Sequence, residues 1–309
     1  MIRRVLLAVS HNQTIKHLAT SAPGVSGVVT RFAAGVTTED AVDATRELLD
    51  RGMSVTLDHL GEDTLDVAQA SATTSAYREL LARLAEEGLA ARAEVSVKLS
   101  AVGQALPGGG PSIATDNAFA ICEAAAAAGT TVTLDMEDHT TTDLTLETLR
   151  SLRADFPWTG GVLQAYLRRT PGDCADLAYE GSRIRLCKGA YKEPESVAFV
   201  DREEVDRAYV RCLKILFQGQ GHPMVATHDD RLVRIAEALV LRYGRRAEDY
   251  EFQMLYGVRP VEQRRLADAG HVLRVYVPYG TEWYGYLVRR MAERPANLVL
   301  GVRAILGQG

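Results

Sequence analysis

Short runs rich in β-branched residues alternate with longer amphipathic or alanine-rich stretches along most of the chain. That alternation restricts the fold to a parallel sheet covered by helices, because each return to a parallel strand needs a long crossover. The strand-like runs lie at 54–57, 94–99, 131–136, 161–166, 183–187, 224–227, 250–255 and 273–277. Helical periodicity covers 65–87, 117–128, 144–154, 202–218, 231–243 and 261–269. A last helix over 282–294 begins after Thr281, a good N-cap, and stops at Pro295. Eight such units predict an α/β fold of the (β/α)8 TIM-type barrel class, which takes about 250 residues. The barrel is expected over 53–309, with 1–52 as an N-terminal helical extension and 1–309 as a single domain. A doubly wound open sheet is the rival, but its G-x-G-x-x-G turn is absent. Gly108-Gly109-Gly110 reads as a proline-flanked loop.

Charge and cysteine usage narrow the functional classes. The net charge is -5 with acids and bases mixed throughout, and no basic block or arginine-rich arm points to nucleic acid. Cys122, Cys174, Cys187 and Cys212 form no C-x-x-C pair, which argues against a zinc site, a redox motif or a disulfide framework. The apolar run after Arg3-Arg4 is too short for a signal peptide, and no stretch reaches the roughly 18 apolar residues of a membrane span. A cytoplasmic protein is expected, with peripheral attachment at the inner face of the cell membrane left open.

Strand alternation then picks out inward-facing polar residues. Lys98 opposes Val95, Val97 and Leu99; Asp135 opposes Leu134 and Met136; Arg185 opposes Ile184 and Leu186. Gln253 and Tyr276 stand out in the same way, and Gln164 and Thr227 sit at matching strand ends. Together they predict a polar rim at the carboxyl ends of the strands, where barrel enzymes carry their chemistry. An inward cation can simply pair with a carboxylate, but seven polar residues at one end favour a bound polar ligand, since buried charge is costly unless compensated. The balance reads as cationic, suited to a cofactor pyrophosphate, a substrate carboxylate or negative charge developing on a reduced ring. A Schiff-base lysine at 98 is a competing reading, weakened by Asp135 nearby. Carboxylates are too few for a metal site.

Tyr286, Arg289 and Arg290 share one face of the last helix, and Trp283 and Tyr284 crowd the same turn. Guanidinium forks match a carboxylate bidentately, so this helix predicts a small pocket for an amino acid with an apolar ring. A lone histidine is more often a satisfied hydrogen-bonding residue than a ligand, and His11, His222 and His271 read as superficial.

The segments LDHLGE (57–62), VSVKLS (95–100), LDMED (134–138), LQAYL (163–167), RLCKGAYKE (185–193), ATHD (226–229), EFQMLYG (251–257) and RVYVPYGTEWYGYLVRRMAERPAN (274–297) resemble the proline dehydrogenase family, in family order. The resemblance implies a distorted (β/α)8 barrel that binds FAD without a Rossmann domain. Carried over position by position, it gives the proline carboxylate to Lys98, Arg289 and Arg290, and the pyrrolidine ring to Tyr191, Leu255, Tyr276 and Tyr286. Asp135 is to hold Lys98 in place beside the flavin, and Arg185 to approach flavin N5 with Gln164 and Lys188. Met136, Gly189, Ala190, Thr227 and His228 are to contact the rest of FAD, and Glu62 is to gate the pocket through an arginine of the last helix.

The implied reaction takes L-proline to pyrroline-5-carboxylate by hydride transfer to flavin N5, with electrons passed to a quinone. A separate pyrroline-5-carboxylate dehydrogenase is the implied partner, as in the monofunctional branch. Met136 and Cys187 depart from the family pattern at tolerable positions. Three alternatives stay open at this stage: a flavin-dependent hydroxyproline dehydrogenase, a Lys98 Schiff-base lyase, and a non-catalytic small-molecule binding protein.

Overall fold

A computed structural model describes residues 31–61, 64–283 and 286. Eight parallel strands close into a barrel in sequence order: β1 (Ser54–His59), β2 (Ala93–Val97), β3 (Val132–Leu134), β4 (Gly160–Gln164), β5 (Arg183–Cys187), β6 (His222–Ala226), β7 (Glu251–Leu255) and β8 (Leu273–Tyr279). The last strand returns to the first with Ser54 opposite Arg274 and His59 opposite Tyr279, so the sheet has no free edge.

Helices α1 (Thr38–Asp50), α2 (Val67–Glu86), α3 (Gly110–Ala128), α4 (Thr142–Asp155), α5 (Thr170–Leu177), α6 (Arg202–Gln218), α7 (Asp230–Arg242) and α8 (Pro260–Asp268) surround it. Several starts are written in local chemistry. Thr37 and Asp40 form a reciprocal capping box on α1, while Asp201 and Asp229 accept the first amides of α6 and α7. The outward strand residues Val55, Val95, Val97, Val132, Leu134, Ile184, Leu186 and Val275 are all fully or almost fully buried beneath these helices. Strands buried on both faces are the signature of a parallel barrel, and here the inner face carries the polar residues.

The expected elements that fall within the described residues appear, with several differences in their bounds. Helix α3 begins at Gly110, seven positions before the periodicity suggested, because Pro111 in the first turn and Gly109 at φ +128° make a start that apolar spacing does not show. Gly108-Gly109-Gly110 is therefore a helix entrance as well as a loop. Helix α5, only 8 residues long, is too short for apolar periodicity to mark it. Strand β3 stops at Leu134, which leaves Asp135 and Met136 just beyond the sheet. Of the N-terminal extension, the described part contains α1; residues 1–30 and most of the expected helix 282–294 lie outside the described residues.

Candidate active site

The inward faces of β2, β3, β5 and β8 assemble one hydrogen-bonded cluster around Asp135. Its Oδ1 accepts from Arg185 Nη1 at 2.6 Å and from Ser96 Oγ at 2.8 Å. Its Oδ2 accepts from the Tyr276 hydroxyl at 2.7 Å. Burial alone would raise the Asp135 carboxyl, but Arg185 and Lys98 outweigh it and hold the group below its ordinary value. Burial and the Asp135 charge push the Tyr276 phenol well above its ordinary value, so it remains a donor. Lys98, just past β2, donates to both oxygens of Asp58 at 2.8 and 2.7 Å and stands 3.7 Å from Asp135.

Asp135 thus stands within ion-pair distance of Lys98, as the resemblance implies, but it is not the nearest carboxylate. The closer partner is Asp58, near the end of β1, and the strand reading at 54–57 stops one residue short of it. Burial raises the Asp58 carboxyl, with Lys98 pulling it down and Asp135 pushing it further up. Of the two carboxylates beside the lysine, Asp135 is the firmly ionised one. The balance at the strand ends is thus mixed in sign, not simply cationic.

Arg185 is 3% exposed and held from several sides. Besides Asp135 and Ser96, its Nε donates to Gln253 Oε1 at 2.5 Å, and the Tyr276 ring lies 5.2 Å from its guanidinium carbon. Burial works against its charge, yet Asp135 and Glu94 keep its pKa above the ordinary arginine value. Its Nη2 is buried with no hydrogen-bond partner, 3.8 Å from Glu94 Oε1.

Beneath lies a second ionic layer that inward alternation would have found two residues earlier on each strand. Glu94 accepts from Arg183 at 2.7 Å, and Glu251 accepts from Arg274 at 2.8 Å. His222 and His271 belong to the barrel's half-buried periphery: His222 faces Glu251 at 3.9 Å, and His271 shares a 2.5 Å hydrogen bond with the Tyr250 hydroxyl. Neither is superficial as the sequence suggested; each is built into a strand-floor contact that sequence alone does not show.

Above the cluster opens a cavity of about 1170 Å³. Lys98, Asp135, Gln164, Arg185, Thr227, Gln253 and Tyr276 all line it, as alternation predicted. So do Met136, Lys188, Gly189, Ala190, Tyr191, His228, Leu255 and Tyr286. Glu62, Arg289 and Arg290 lie outside the described residues. Gln164 donates to the Glu137 carbonyl at 2.7 Å, which ties the end of β4 to the segment after β3. His228 Nε2 accepts from the Leu255 amide at 2.9 Å, so its other ring nitrogen carries the proton. Gly189 sits at φ +112° with its α-carbon against the Tyr166 ring, where a β-carbon would fall 2.3 Å from ring atoms.

One side of the cavity is formed by the first turns of α6 and α7 with Arg202, Arg231 and Arg234, joined by Lys188 and Arg259. Lys188 is ion-paired with Asp206 and, at 3.2 Å, with Asp229. The guanidiniums suit a phosphate-bearing ligand, on a wall that also carries the carboxylates of Glu203, Asp206, Asp229 and Asp230. The cavity exceeds the roughly 300–1,000 Å³ typical of small-molecule pockets, which suits a ligand of dinucleotide size. The Arg185 guanidinium, which lines the cavity at the strand ends, suits an electron-rich ring lying over them. No group of three or more potential metal-ligating side chains occurs among the described residues.

Comparison with known proteins identifies the family. Curated proline dehydrogenase 1 of Bacillus subtilis strain 168 is 37% identical over 306 residues, 99% of each chain. Proline dehydrogenase of Deinococcus radiodurans is 37% identical over 310 residues, 99% of this chain and 98% of that one. A crystal structure of proline utilization A from Bdellovibrio bacteriovorus, inactivated by N-propargylglycine, aligns with a TM-score of 0.81 at 27% identity; it covers 87% of this chain and 33% of that longer one. The sequence model described as proline dehydrogenase matches residues 41–299, and the chain belongs to the proline dehydrogenase family.

Proposed function

We propose that this chain is an FAD-dependent proline dehydrogenase that converts L-proline to pyrroline-5-carboxylate and passes the electrons to a quinone. The observation that carries the reading is the convergence of Lys98, Asp135, Arg185 and Tyr276 on one large cavity whose wall also carries Arg202, Arg231 and Arg234. FAD, when bound, supplies the hydride acceptor and the redox chemistry. Arg202, Arg231 and Arg234 would hold its phosphates; Met136, Gln164, Lys188, Gly189, Ala190, Thr227 and His228 would line the remainder.

The chain's own residues orient the substrate. Lys98, with Arg289 and Arg290, binds the proline carboxylate and fixes the ring pose at a distance from the reacting carbon. Tyr191, Leu255, Tyr276 and Tyr286 pack around the pyrrolidine, and Glu62 closes the pocket by pairing with the last helix. Arg185 presents fixed positive charge toward the face where negative charge develops, and Asp135 keeps it aimed there. The described residues form one barrel around this cavity.

Two alternatives lose support. A Schiff base at Lys98 needs a free amine, whereas this side chain is bound to both oxygens of a buried carboxylate. Hydroxyproline carries an added hydroxyl toward Tyr286, a side chain 6% exposed and packed with Phe32 and Leu60. Among the described residues no helix is long and apolar enough to cross a membrane.

The test is product trapping with o-aminobenzaldehyde during turnover of the flavin-loaded protein with proline and a soluble ubiquinone analogue. The coloured pyrroline adduct should form in step with quinone loss, and hydroxyproline should give far less. Flavin-loaded protein that yields no adduct would contradict the assignment.

A further inference from the structure

Gln253 lines the cavity, yet its amide faces Arg185 on one side and the barrel floor on the other. Its Oε1 accepts from Arg185 Nε at 2.5 Å, and its Nε2 donates to Glu251 Oε1 at 2.5 Å. Arginine can only donate and a carboxylate can only accept, so these neighbours allow the amide one orientation. Glu251 is held in turn by Arg274 Nε, at 2.8 and 3.1 Å to its two oxygens, and Arg274 Nη1 is anchored on the Val55 carbonyl at 2.9 Å. Glu251, Gln253 and Arg185 are 2%, 3% and 3% exposed. A chain of donors and acceptors therefore runs from the barrel floor, Arg274 to Glu251 to Gln253 to Arg185, and ends at Asp135.

We propose that Gln253 and Glu251 are positioning residues for the oxidation, a fixed relay that aims the Arg185 guanidinium and thereby sets the electron affinity of the flavin beside it. The inference rests on the reading that places Arg185 next to the flavin. Its physical basis is polarisation: the Glu251 charge makes the Gln253 carbonyl a stronger acceptor, and linked hydrogen bonds reinforce one another in a dry interior. Asp135 and Ser96 fix Nη1 alone, and a guanidinium held along one edge can swing about that edge. The Nε contact removes that freedom.

The test compares flavin-loaded wild type, Gln253→Met and Arg185→Met by the flavin midpoint potential and by the Kd for sulfite, which adds to flavin N5. Arg185→Met should weaken sulfite binding and move the potential negative. Gln253→Met should shift both in the same direction by less, with sulfite Kd rising about tenfold, the worth of one charge-assisted hydrogen bond. Loss of fold alone would lower flavin content and leave the potential of the bound fraction unchanged. If Gln253→Met does not fold, Glu251→Asp keeps the charge but withdraws the carboxylate from the Gln253 amide, and should shift the potential the same way. A shift in Arg185→Met with none in the relay variants overturns the relay; no shift in any of them overturns the placement of Arg185 itself.

Discussion

Asp58 grips Lys98 with both carboxylate oxygens, at 2.8 and 2.7 Å, across the adjoining ends of β1 and β2. The ammonium is thereby fixed at the cavity wall, leaning away from Asp135 at 3.7 Å. Replacing Asp58 by Asn removes that hold and sends Lys98 toward Asp135, in competition with Arg185. Proline KM should rise by about 10- to 100-fold with a smaller change in kcat, because the loss falls on substrate positioning. Steady-state kinetics decide it; an unchanged KM would refute the role.

Tyr276→Phe deletes the 2.7 Å hydrogen bond to Asp135 and leaves the ring in place. The expected cost is about tenfold in kcat/KM. Burial and the Asp135 charge keep this phenol protonated well beyond its ordinary range, so it imposes no basic limb on the pH profile. Wild type and variant should show the same basic limb; a limb that vanished in Tyr276→Phe would show the phenol titrating.

Gly189→Ala meets two obstacles, a backbone at φ +112° and the Tyr166 ring 2.3 Å from the added carbon. Strain of about 2 kcal/mol is expected, with a Tm lower by roughly 3–6 °C. The displaced segment carries Lys188, Ala190 and Tyr191, so weaker proline binding should accompany the drop. Thermal melts and KM together check this, and a variant with wild-type values in both would contradict it.

Glu94 gives the barrel floor an acid-sensitive component. Although burial opposes it, Arg183 and Arg274 bring its carboxyl from 4.5 down to about 2. A depressed folded pKa means stability present above about 4.5 and lost as pH falls through about 2, worth about 3 kcal/mol. Glu94→Gln should be less stable at pH 7, and the gap should narrow steadily between about pH 5 and 2. Denaturant midpoints across that range test it; a constant gap would contradict the linkage.

Much of this was legible in the sequence because the strand period is two and the barrel interior is polar. Alternation leads to Lys98, Asp135, Arg185, Gln253 and Tyr276, and position at the strand ends adds Gln164 and Thr227; all seven line one cavity. Alternation misses Asp58 because the apolar run marked by Val55 and Leu57 ends at Leu57, whereas the strand continues to His59. The same parity extended backwards leads to Glu94, Arg183, Glu251 and Arg274, but charged residues near strand starts read as solvated ends until the barrel closes around them. Which carboxylate a lysine chooses is a matter of angstroms between strands. Helix α5 and the Gly110 start depend on backbone geometry and short length, which apolar periodicity does not encode.

The most direct measurement is the absorption spectrum of the purified protein under anaerobic conditions, before and after L-proline. The account predicts an oxidised flavin spectrum that bleaches on addition of proline in wild type and bleaches far more slowly in Arg185→Met. A flavin that ignores proline, or a colourless protein that stays inactive after added FAD, would contradict it.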